Sequence, residues 1–134
     1  MVGNNFVFGA YTHCSWPAVN RTVADPAGKS FLFSLVNASG NAVRFSLWAT
    51  ERAIRLNDRI CFGADKLKGA DGATGGPNFM LMFKGRAADE QNGNCANVID
   101  DTKAYQSDDG TVCDHTFLAG QKYFAAEEIE VYQL

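Results

Sequence analysis

Four cysteines, two histidines and a scatter of carboxylates are the residues of this chain that could do chemistry, and their spacing decides how much is on offer. Cys113-Asp-His115 sets a thiol and an imidazole two residues apart, which on an extended strand puts both on one face. With Asp114 and Cys95 they are candidate metal ligands, but a structural zinc site needs four converging donors and only two lie close together. A buried thiol beside a surface histidine explains the pattern more simply. His13-Cys14 is the other thiol–imidazole pair. Side chains of neighbouring strand residues diverge, so no nucleophile–base dyad is expected there. A thiol-dependent redox enzyme using Cys113 or Cys14 is nonetheless the rival reading, and its signature would be a thiol with a depressed pKa and some exposure.

The carboxylates Glu127, Glu128 and Glu130, with Asp100, Asp101, Asp108 and Asp109, could in principle serve as an acid–base pair or as calcium ligands. Calcium takes six or more oxygens, and no Asp-x-Asp-x-Asp-Gly loop is present to supply them. Solvated edge charges, which also discourage strand-to-strand aggregation, account for them better. Neither Gly75-Gly-Pro-Asn nor Gly69-Ala-Asp-Gly completes a phosphate-binding loop. No cofactor is therefore expected. Trp16 and Trp48 are the residues that a carbohydrate-binding sandwich would use for stacking, with Trp48 the more open candidate because it falls on the polar side of its strand.

The chain has 134 residues, the size of one domain with a single core, and residues 1–134 are read as such. Its net charge is −3, divided as +3 up to Leu67 and −6 from Lys68 onward. An acidic second half without a Lys/Arg cluster argues against nucleic acid as a partner. No stretch reaches membrane-spanning length and no secretory signal opens the chain, so a cytoplasmic location with free, buried thiols is expected and membrane insertion is not.

The elements that would carry these residues are strands. Phe6-Val-Phe-Gly-Ala-Tyr11 is an apolar run whose central Gly9 marks a bulge or close packing. Residues 16–29 are rich in turn formers and read as a loop. Phe31-Leu-Phe-Ser-Leu-Val36 and Val43-Arg-Phe-Ser-Leu-Trp48 form a hairpin around a turn-rich hexapeptide, with Val43, Phe45 and Leu47 on one face and Arg44, Ser46 and Trp48 on the other. Glu51-Arg-Ala-Ile-Arg-Leu56 could be a helical turn or a strand, and the strand is preferred. Arg59-Ile-Cys-Phe-Gly63 is a further strand. Residues 69–77 read as a flexible loop, and Asn78-Phe-Met-Leu-Met-Phe-Lys84 as a strand buried on both faces. Between Gly85 and Thr116 only Ala96-Asn-Val-Ile99 and Thr111-Val-Cys113 look β-capable. At the end of the chain Ile129, Val131 and Gln133 alternate with Glu128, Glu130 and Tyr132, which predicts a closing strand. The fold class is mainly β, an antiparallel two-sheet β-sandwich with at most short helices.

Several blocks in order resemble the TLDc domain family of oxidation-resistance type. They are Phe8-Gly-Ala-Tyr-Thr12 with Ser15-Trp16, Lys29-Ser-Phe-Leu-Phe-Ser-Leu35, Ala53-Ile54, Cys61-Phe-Gly63 with Asp65 and Leu67, Leu118-Ala-Gly120, and Glu128-Ile-Glu-Val-Tyr132. Almost nothing precedes Phe6, so the chain corresponds to the C-terminal two thirds of that domain or to a minimal variant lacking the usual N-terminal part. Ala10 replaces a second glycine and Ile60-Cys61 replaces Gly-Pro. The resemblance implies a β-sandwich in which Phe8, Gly9, Trp16, Phe62, Gly63 and Gly120 are structural. It also implies a non-catalytic protein-interaction domain linked to protection against oxidative damage and to regulation of the vacuolar-type proton ATPase (V-ATPase). Glu128 and Glu130, which match the closing motif, and the open Trp48 are then interface candidates. A homo-oligomer that covers exposed sheet edges is a further expectation.

Overall fold

The structure is a computed structural model, and it describes residues 5–18, 21–37, 39–56, 59–63, 79–82, 91–93, 104–110, 117–120, 123–124 and 130–133. Within these, ten strands form two antiparallel sheets. One sheet has the order β1 (Val7–Tyr11), β3 (Phe31–Val36), β4 (Val43–Leu47) and β9 (Tyr105–Ser107). The other has the order β10 (Tyr123–Phe124), β8 (Gln91–Gly93), β7 (Phe79–Met82), β6 (Arg59–Phe62), β5 (Ile54–Leu56) and β2 (Arg21–Val23). The one helical element among the described residues is a 3₁₀ turn at Thr50–Arg52. The expected mainly β, two-sheet antiparallel class is what the chain adopts.

The hairpin behaves as its alternation dictates. β3 and β4 pair antiparallel with Phe31 opposite Ser46 and Leu32 opposite Phe45. Val43, Phe45 and Leu47 are buried while Arg44 faces solvent. Asn37 organises the connecting loop: its side-chain amide donates to Ser34 Oγ and to the Asn41 carbonyl, and its Oδ1 accepts from the Ser39 amide. This is the Asx-type turn chemistry that favours Asn at such positions.

The inner faces share one apolar core. Leu32, Val43, Phe45, Leu47 and Tyr105 come from the four-stranded sheet, Ile54 and Phe62 from the six-stranded sheet, and Phe117 and Leu118 from the segment near the end of the chain. Tyr105 is the main tie between layers. Its ring meets Phe62 edge-on with centroids 6.4 Å apart, and its hydroxyl donates to the Ala53 carbonyl at 2.8 Å. That carbonyl also accepts the Gly63 amide at 2.9 Å, so both of its lone pairs are used. Phe45 and Phe117 make a similar edge contact at 6.0 Å.

Several expectations are corrected. Residues 16–29 are not wholly loop, because Arg21–Val23 forms β2 and pairs with Ile54–Leu56 in the register Val23 opposite Ile54. Pairing with a distant strand outweighs the flanking turn formers there. Glu51 and Arg52 lie in the 3₁₀ turn and only Ile54–Leu56 is strand, so the segment takes both of its alternatives in succession. Tyr105–Ser107 and Gln91–Gly93 are strands at positions of the polar stretch other than the two β-capable patches. Residues 130–133 join no sheet: Val131 is 88% and Tyr132 76% exposed, so the alternation has no layer on which to lie. Phe79–Met82 is a strand as expected. The loop at 69–77 and the patches at 96–99 and 111–113 lie outside the described residues.

Candidate functional site

Three strand ends meet at one end of the sandwich. β1 stops at Tyr11, so Thr12, His13 and Cys14 leave the sheet in irregular backbone. β2 stops at Val23 and runs into Asp25-Pro-Ala-Gly28, a turn closed by the Gly28 amide donating to the Asp25 carbonyl at 2.9 Å. Asp at the first, Pro at the second and Gly at the fourth position is the residue order a type I turn prefers, and Gly28 takes a φ of 63°. Ser30 then stands immediately before β3. Two of these strands belong to one sheet and the third to the other, so the site is fixed by the way the layers come together.

Asp25 is the centre of the arrangement and is fully buried. Its Oδ2 accepts from the Ser30 amide at 2.7 Å and from the Ser30 hydroxyl at 2.8 Å. Ser30 Oγ lies 2.9 Å from Thr12 Oγ1. Since Ser30 has given its only proton to Asp25, the Thr12 hydroxyl must donate in that contact, and Thr12 Oγ1 in turn accepts the Cys14 amide at 3.1 Å. A polarised chain thus runs from the Cys14 backbone through two hydroxyls to the carboxylate. His13 Nδ1 lies 3.6 Å from Asp25 Oδ2. Burial opposes ionisation of Asp25, but the Ser30 donors and the neighbouring His13 outweigh it and hold its pKa below the ordinary carboxylate value. Asp25 Oδ1 is buried without a hydrogen-bond partner. Burial raises the pKa of the Tyr105 phenol; Ser30 partly offsets this while Asp25 and Cys14 add to it, so the hydroxyl remains a donor.

His13 and Cys14 therefore do not diverge as a strand would require. One ligand atom from each of His13, Cys14 and Asp25 falls within 4.8 Å of the others. The thiol is half-buried, not enclosed, and it donates toward the Ala24 carbonyl at 3.8 Å; no hydrogen bond joins it to His13 among the described residues. Asp25 was missed because an isolated Asp-Pro-x-Gly reads as a turn. The Ser that follows it, directly before an apolar strand, is the signal that its side chain turns inward.

The other expected site residues are dispersed. Phe8 packs on the core. Gly9 stands opposite Phe33 on the outer face of the four-stranded sheet, and a methyl built on it would lie 2.7 Å from Phe33 Cζ. Trp16 meets Phe62 edge-on at 5.6 Å and stays 40% exposed. Gly63 and Gly120 have φ of 76° and 81°, and the Phe6 ring covers the α-carbon of Gly120. Trp48 is 61% exposed, and the Tyr132 hydroxyl donates to exposed Glu130. Glu128, Cys95, Cys113 and His115 lie outside the described residues. No helix among the described residues is long and apolar enough to cross a membrane.

The family model of the TLDc domain matches residues 2–134. No curated protein and no solved structure matches the chain.

Proposed function

Because the chain belongs to the TLDc domain family, we propose that it works as a non-catalytic protein-interaction domain, with the V-ATPase as its partner on the cytoplasmic side and protection against oxidative damage as the outcome. The observation that carries this reading is the outer face of the four-stranded sheet. At one end Val7, Leu35 and Val36 are 44%, 55% and 48% exposed, with Val7 paired to Val36 across the two strands. At the other end stands Trp48. Between them Tyr11, Phe31 and Phe33 form a ladder of rings, with centroid separations of 5.2 and 6.3 Å. The Arg44 guanidinium lies 4.2 Å from the Phe31 ring centroid. Aliphatic and aromatic groups on a rigid sheet beside an arginine are the composition that protein interfaces favour at their centres.

Among the described residues β1 stands at the edge of the four-stranded sheet, the position at which a partner strand or a second copy of the chain would add. Binding of the purified domain to the purified peripheral sector of the ATPase tests the proposal. Leu35→Asp and Trp48→Ala should each weaken the complex about tenfold or more, about 1.4 kcal/mol apiece. Glu130→Ala and Glu128→Ala test the closing motif in the same assay. Absence of binding by the wild-type domain would refute this partner, and binding insensitive to Leu35 and Trp48 would refute this face.

A further inference from the structure

The geometry points to a metal site at the end of the sandwich, in which His13, Cys14 and Asp25 hold a borderline divalent transition ion of the zinc type and leave one position open to water. The reading does not rest on the interaction face, which uses other side chains. Three donors of different chemistry, an imidazole nitrogen, a thiol sulfur and a carboxylate oxygen, already lie within 4.8 Å of one another. In a tetrahedral zinc site with bonds of roughly 2.0–2.3 Å the donor atoms stand roughly 3.3–3.6 Å apart. His13 Nδ1 already stands 3.6 Å from Asp25 Oδ2, so the imidazole reaches the carboxylate whose other oxygen, Oδ1, is left for an ion. Closing the remainder needs only small movements of His13, which is exposed, and of Cys14, which is half-buried.

A second observation fits a cation. Asp25 is fully buried, yet its Oδ1 has no hydrogen-bond partner. Buried polar atoms are nearly always satisfied, and an ion bound at the carboxylate would satisfy this one. The carboxylate is positioned as a metal ligand usually is, by outer-shell donors, since the Ser30 amide and hydroxyl fix Oδ2 and Thr12 supports Ser30. The donor set selects the metal. A thiolate and an imidazole suit zinc and its neighbours, whereas magnesium and calcium require oxygen-rich shells that this site lacks. Binding replaces the thiol proton of Cys14 with the metal and releases that proton to solvent.

Cobalt(II) added to the full, reduced chain is the probe. One equivalent should produce the visible bands of tetrahedral cobalt together with a thiolate-to-cobalt charge-transfer band, and equimolar zinc should displace both. Cys14→Ser should abolish the charge-transfer band, while Cys95→Ser and Cys113→Ser leave it intact. Ser30→Ala, which loosens Asp25 without removing a ligand, should weaken binding about 10–100-fold. Circular dichroism confirms folding of each variant, and His13→Gln stands in for Asp25→Asn if the buried substitution unfolds the chain. No tetrahedral spectrum with the wild type would overturn the assignment, as would a charge-transfer band that survives Cys14→Ser or disappears with Cys95 or Cys113.

Discussion

Asp25 sets the most specific expectation at the scale of single residues. Its folded-state pKa lies below the ordinary value of 3.8, so its ionised form stabilises the fold. For a depressed carboxylate that contribution is fully present above the unfolded pKa of about 3.9 and is lost as pH falls through the lower folded value. In chelator-containing buffer the stability gap between wild type and Asp25→Asn should be present at about pH 5 and close as pH falls below about pH 4. Denaturant midpoints across that range measure it, and a gap that does not change with pH would refute the assignment. Gly9 carries a second expectation. Gly9→Ala drives a methyl into the Phe33 ring and should cost about 1–3 kcal/mol. Adding Phe33→Leu removes the clash, so in a double-mutant cycle the two changes should couple favourably. Additive costs would mean that the ring does not cover the glycine. An aromatic lying over an edge-strand glycine is a known way of restoring the packing that glycine forfeits.

Between elements, the sheets are tied by Tyr105. Tyr105→Phe keeps the ring contact with Phe62 but removes the hydroxyl, with its hydrogen bond to the Ala53 carbonyl, which retains the Gly63 amide, and its contact with Ser30. The loss should be of the order of one or two net hydrogen bonds, about 0.5–3 kcal/mol, and Phe45→Ala in the same core should cost about 3–5 kcal/mol. Urea unfolding of the two variants gives the comparison, and equal costs would contradict the packing described. Which elements were legible in the sequence follows from this physics. The hairpin of β3 and β4 was readable because period-2 alternation and an Asn-rich turn act locally and agree. β2 and β9 were not, because three-residue strands carry too little pattern and exist through pairing with Ile54–Leu56 and Phe45–Leu47. The last residues show the converse, since Val131 and Tyr132 have strand alternation but no sheet beneath them. Of the candidate site, His13 and Cys14 were visible as chemistry. Their meeting with Asp25 was not, because it depends on where β1 ends and on how two sheets approach.

For the molecule as a whole, the two proposed regions use different side chains. The end of the sandwich gathers His13, Cys14 and Asp25, while the outer face of the four-stranded sheet presents Val7, Leu35, Val36 and Trp48. If partner binding uses the sheet face alone, Cys14→Ser should leave partner affinity unchanged within about twofold while Leu35→Asp reduces it. Hydrogen exchange of the domain with and without the peripheral sector of the proton ATPase tests the interaction account most directly. Protection should build up on residues 7–11 and 31–36 and around Trp48. No added protection anywhere, or protection confined to the loop of His13 and Asp25, would contradict it.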